Sequence, residues 1–154
     1  MHRLAALIIA ATGLPAAAQE EPLLDIAVSE EYGPYLVGRD DRPVYAFVTD
    51  VRGGDDITPI VSCQDRCLED WPLVTVDGAT VPIADGVSRF LVDTIDWKGD
   101  NVVVYASNAL FYYFRDEPGG EPLGQEVHTW GGWWYLVRPD GELIETGIAP
   151  ETDG

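Results

Sequence analysis

Cys63 and Cys67 are the only two cysteines of the 154-residue chain, and they stand four residues apart. That spacing supports two chemistries. On a helix, residues i and i+4 share a face, and Cα atoms about 6 Å apart lie within disulfide reach. Kept reduced, the two thiolates would join the imidazole of His128 in a ligand set suited to Cu(I). In an exported chain, cysteines this close are expected to form a disulfide, so copper handling or thiol redox chemistry is the alternative. Closing so short a loop removes little chain entropy, so the expected staple is modest in strength. With His2 lost in a cleaved leader, Cys63, Cys67 and His128 are too few for a four-ligand Cys/His zinc site. A haem-attaching Cys-x-x-Cys-His run is absent.

Other chemistry is sparser. The carboxylates at Asp40-Asp41, Asp50, Asp55-Asp56, Asp93, Asp96 and Asp100 are dense, but the calcium-loop spacing Asp-x-Asp-x-Asp-Gly does not occur. There is no Gly-x-Ser-x-Gly elbow, no phosphate-cradling glycine loop and a single lysine, Lys98. No pair of acids is marked for hydrolysis, and no residue set calls for a cofactor. The segment from Val127 to Tyr135 (VHTWGGWWY) is the richest in recognition chemistry. There Trp130 and Trp133 flank Gly131-Gly132 close to His128, a candidate surface for a protein partner or a sugar ring. Core filling is the competing fate of those rings.

The elements that must position these residues repeat. At an offset of 66, the run Val44 to Asp50 (VYAFVTD) falls on Leu110 to Asp116 (LFYYFRD). At an offset of 63, Trp71 to Gly78 (WPLVTVDG) falls on Trp134 to Gly141 (WYLVRPDG), with Trp, Leu, Val, Asp and Gly identical. Two matched blocks in one order define two copies of a unit of about 45 residues. Copy one spans residues 35–78, copy two 101–141, and 79–100 link them. Each copy reads as β: strands at 35–37 and 44–48, and at 102–105 and 110–114, form hairpin patterns around turn residues. Further strands are expected at 88–93, 133–137 and 142–146. One helix is expected at 62–71, with Ser62 as N-cap and Pro72 beyond its end. The predicted fold is all-β, two tandem pseudo-repeats of antiparallel strands with one short helix.

Tyr45 and Phe47, two apart on a strand, share a face, as do Phe111 and Tyr113. Asp50 and Asp116 follow their strands, where a carboxylate accepts turn N–H groups. Buried aromatics with a turn-capping aspartate are the expected reading, and an aromatic–carboxylate ligand pocket is the alternative. These residues carry a resemblance. The chain resembles the bacterial secreted-repeat family of unknown function, predicted lipoproteins with a Yx(FWY)xxD motif. Tyr45, Phe47 and Asp50 fit the motif, and Phe111, Tyr113 and Asp116 fit it with Phe in the leading place. The family's cysteine pair before Trp-Pro matches Cys63, Cys67, Trp71 and Pro72. Its later elements match Gly124-Gln125 and Trp134-Tyr135. Leu73 stands where members often carry a second proline, and their lipid-modified cysteine is missing. The resemblance implies no established reaction.

The first residues read as an address. Met1-His2-Arg3 is followed by an apolar run to Leu14, a break at Pro15 and Ala16-Ala17-Ala18. This is the pattern of a secretory signal peptide at 1–18, cut before Gln19. The run is too short to span a membrane, which takes about 20 residues. No cysteine at the cleavage site offers a lipid anchor. With 27 acidic and 9 basic residues, the formal charge is −18. That charge excludes nucleic acid and anionic lipid surfaces as natural partners. An apolar content of 46% supports one packed domain at 19–154. The sequence therefore predicts a periplasmic or extracellular binding or interaction module rather than an enzyme, with a protein or small-molecule ligand.

Overall fold

The computed structural model describes residues 10, 12–16, 20–49 and 58–147. Its β-ladders are all antiparallel. β1 (Asp25–Ser29) and β2 (Gly33–Val37) form a hairpin. β3 (Tyr45–Thr49) pairs with a C-terminal strand, β9 (Gly132–Leu136), which pairs in turn with β8 (Val127–Thr129). The third sheet holds β4 (Thr75–Val76), β6 (Asp100–Tyr105) and β5 (Val92–Trp97), with β7 (Asn108–Ala109) beside β6. Two five-residue helices, α1 (Thr58–Ser62) and α2 (Arg66–Asp70), precede β4. The all-β class expected from the pattern is the class observed.

Strand alternation sorts side chains into two cores. Tyr45 and Phe47 enter one cluster with Trp71, Phe111, Tyr113 and Trp134. Val44 and Ala46 enter the other with Leu36, Val74, Val103, Leu110 and Val137. Val44 and the first three residues of β3 are thus buried on both faces, which is why the run from Val44 to Phe47 is apolar without interruption.

Main-chain pairing follows one scheme twice. Val44 N–H donates to Leu36 O (3.3 Å), and Leu110 N–H donates to Val103 O (3.0 Å). Leu36 N–H donates to Val137 O (2.9 Å), while Val103 N–H donates to Val74 O (2.8 Å). Tyr45 lies opposite Leu136, and Phe111 opposite Leu73. Tyr45 and Phe111 exchange both main-chain bonds with each other, at 2.8 and 2.9 Å. Leu36 therefore reaches Val137, and Val103 reaches Val74, across the middle of the chain, while β1 and β5 flank β2 and β6 from nearer in sequence.

Several expected elements differ. Of the helix expected at 62–71 only α2 forms: Ser62 is the last residue of α1 rather than an N-cap, and Asp65, at φ +51, stands at the N-cap of α2. Residues 110–114 are held by main-chain bonds to Tyr45, Val74, Val103, Pro72 and Asp70, not by a continuous ladder, so only β7 before them is a strand. The strand expected at 88–93 begins later. Residues Arg89–Leu91 form a 3₁₀ turn, and β5 follows it. At 142–146 only a bridge between Leu143 and Val137 forms.

Candidate functional site

The two tryptophans of the repeated Trp-x-Leu-Val block meet at the centre of the first core. Trp71 and Trp134 stack with ring centres 3.9 Å apart and planes within 2°. Phe47 stacks on Trp134 at 4.0 Å, and Tyr113 stacks on Trp71 at 4.1 Å. The result is a pile of four rings in the order Phe47, Trp134, Trp71, Tyr113. Tyr45 meets Trp71 edge-on at 5.5 Å, and Phe111 meets Trp134 edge-on at 5.0 Å. Edge-to-face and offset stacks are the favoured aromatic geometries. All six side chains are buried. The motif aromatics are thus core, as the packing reading expects. Pro72 is exposed, and its carbonyl accepts Tyr112 N–H (2.7 Å).

Tyr45 and Phe111 occupy corresponding places, but only Tyr45 carries a hydroxyl. That hydroxyl donates to Asp116 Oδ2 (2.7 Å) and accepts from Gly124 N–H (3.1 Å). Asp116 Oδ1 accepts Leu123 N–H (2.8 Å), so the carboxylate caps a loop as expected and also grips a tyrosine 71 residues away. Asp116 is 3% exposed. Burial pushes its carboxyl above the ordinary range, opposed by the bonds from Tyr45 and Leu123 and by the nearby Arg42 guanidinium. Burial and the Asp116 charge push the Tyr45 phenol far up, so it stays protonated. Gly124 is required here, because a Cβ would meet Tyr45 at 2.8 Å and Trp71 at 3.0 Å. Asp50, the corresponding aspartate of copy one, lies outside the described residues.

Cys63 and Cys67 are joined in a disulfide, both buried, with Cα atoms 5.2 Å apart. The break at Asp65 brings them closer than a continuous helix would. In this state neither sulfur is a thiolate. His128 lies apart from any metal-ligand group: among the described residues, no three of His, Cys, Asp and Glu come together as a set that could hold an ion. No described helix is long and apolar enough to cross a membrane.

The candidate recognition residues sit on the β8–β9 hairpin. Val48, Trp133 and His128 align across β3, β9 and β8 on the face turned away from the stack. His128 is exposed, and its ring lies 4.6 Å from that of the half-buried Trp133. Trp130 and Gly131 form the two-residue turn, at φ +58 and +79. Such a type I′ turn favours Asn-Gly, and a tryptophan in the left-handed region is strained. Trp130 is nonetheless 40% exposed, with its indole Nε1–H bonded to Asp70 Oδ2 (3.1 Å).

Asp70, Phe114, Arg42 and the pairing of Tyr45 with Asp116 were not marked as a site by sequence spacing. The first three lie next to motif residues, but only the folded chain shows what they touch. Gln125, known beforehand only as part of the family resemblance, takes Leu136 N–H on its Oε1 (2.6 Å) and donates from Nε2 to Ile144 O. Its side chain thereby acts as a stretch of strand beside β9. No protein family, curated protein or solved structure matches the chain.

Proposed function

We propose that the chain is an exported, non-enzymatic binding module, a member of the secreted-repeat family built from two copies of one unit, and that the β8–β9 hairpin is its contact surface. The observation that carries this reading is Trp130. A turn that folding would fill better with Asn-Gly instead holds a strained, solvent-facing indole, fixed by a bond to Asp70. Strain held at an exposed aromatic side chain marks a contact residue more strongly than the buried motif aromatics do. The signal-peptide pattern at residues 1–18 and the close cysteine pair support export.

The test has two readouts in the native host. Intact mass of the protein recovered outside the cytoplasm is expected to begin at Gln19 with no alkylatable thiol. A full-length, cytoplasmic product overturns the export reading. A photo-crosslinking benzoylphenylalanine at position 130 is expected to give a discrete adduct that the same group at exposed Asp77 does not give. Equal adducts, or none at 130, overturn the contact surface.

A further inference from the structure

Asp70 ties together two exposed aromatic residues from distant parts of the chain. Its side chain accepts the Trp130 indole N–H, and its main-chain oxygen accepts Phe114 N–H (2.9 Å). Trp130 is 40% and Phe114 49% exposed, far more than core rings of the same type in this chain. Among the described residues, Trp130 engages one of the two Asp70 carboxylate oxygens, Oδ2. Glu69 beside it is exposed.

The chemistry of this corner selects for positive charge. Aromatic faces attract guanidinium and ammonium groups within about 6 Å of the ring centre. The Arg115 guanidinium lies 5.2 Å from the Phe114 ring centre, so that ring already holds a cation of the chain itself. The Asp70 carboxylate, bonded to the Trp130 indole, supplies an ionic partner beside that ring. The surrounding field points the same way: 27 acids against 9 bases attract basic partners and repel phosphates and anionic lipids. The corner is open rather than enclosed, so a small cation would remain largely hydrated there. A chain bearing several positive charges would draw on the whole field.

We propose that the corner formed by Trp130, Asp70 and Phe114 docks a basic segment of a partner protein, with a Lys or Arg head group against the rings and the Asp70 carboxylate. This rests on the binding role proposed above and names its partner chemistry.

The test uses the ¹⁵N-labelled protein titrated with a blocked pentapeptide of alternating arginine and lysine. The Trp130 indole N–H and the Phe114 amide serve as NMR reporters. Both are expected to shift and saturate. Trp130→Asn suits the turn and keeps the fold, and Asp70→Asn keeps an acceptor for the indole. Each is expected to weaken binding about tenfold, read at the Phe114 amide. Glu30→Gln, an exposed charge change at the β1–β2 turn, is expected to weaken it less than about twofold.

Equal weakening by all three variants would mean diffuse charge attraction and would overturn the site. So would the absence of a shift at Trp130, or saturation by tetramethylammonium as tight as by the peptide. Saturation by a neutral cello-oligosaccharide in place of the peptide overturns the basic partner while leaving the binding role standing. Loss of the adduct at position 130 in the crosslinking experiment removes that role itself.

Discussion

The hydroxyl of Tyr45 is a polar group that the aromatic core holds between the two halves. It satisfies Asp116 and Gly124 at once, and both would be left short without it. Leaving buried groups unpaired costs about 1–3 kcal/mol. Tyr45→Phe is therefore expected to lower the unfolding free energy by about that amount in urea denaturation. Phe111 shows that a phenylalanine ring fits the corresponding place, so a loss below a few tenths of a kcal/mol would mean that the pair holds nothing. Asp116 adds a pH signature. Its folded pKa is raised, so the folded state binds the proton more tightly than the unfolded chain. Its contribution is complete below the ordinary carboxyl range, near pH 4, and is lost as pH rises through the raised value. Measured against Asp116→Asn, the wild-type protein should gain stability as the pH falls from 7 toward 4; a difference that stays flat with pH would refute this. The aromatic partners were legible from two-residue periodicity alone. The Tyr45–Asp116 bond was not, because nothing local links residues 71 apart.

Among the elements, the segment around the disulfide shows most clearly how local signals compete. The proline after Trp71 marks where the helix ends, and that end was legible; the start was misplaced, because Ser62 closes α1 and α2 begins after Asp65. The left-handed Asp65 was not legible, since only the bonded cysteines and the packing of Trp71 fix it. The disulfide closes a loop with a sequence separation of four. Chain-entropy arithmetic for such a loop gives about 2 kcal/mol. Reduction under native conditions is expected to lower the denaturation midpoint accordingly without unfolding the domain. Complete unfolding on reduction would mean that the staple, rather than the four-ring pile, holds this corner. The edge strands use the chain's acidity locally. Asp25 Oδ1 accepts Ile26 N–H (2.7 Å) on β1, and Asp93 Oδ1 accepts Thr94 N–H (2.8 Å) on β5. A carboxylate that occupies a strand-edge donor and adds charge guards against edge-to-edge pairing. In composition these residues were only part of an acidic surface. The turn at Trp130-Gly131 was visible as a glycine pair, but its strain was not, because a tryptophan does not announce a positive φ.

At the scale of the molecule, the offsets of 66 and 63 residues were readable in one dimension; in three, Tyr45 meets Trp71 edge-on and Phe111 meets Trp134 edge-on. What the offsets could not tell was which half each strand serves. Val74 closes on Val103, and Val137 closes on Leu36, so the partners cross between halves. The choice rests on long-range packing of Trp71 against Trp134, which no window of sequence contains. The crossing also sets the order of events during folding. β3 has no ladder partner until residues 132–136 are made, and Phe47 has no ring to stack on until Trp134 arrives. The sheet of β4, β5, β6 and β7 has all its strands once residue 109 is made, whereas β3 stays open until β9 follows it, exposed to whatever escorts the growing polypeptide.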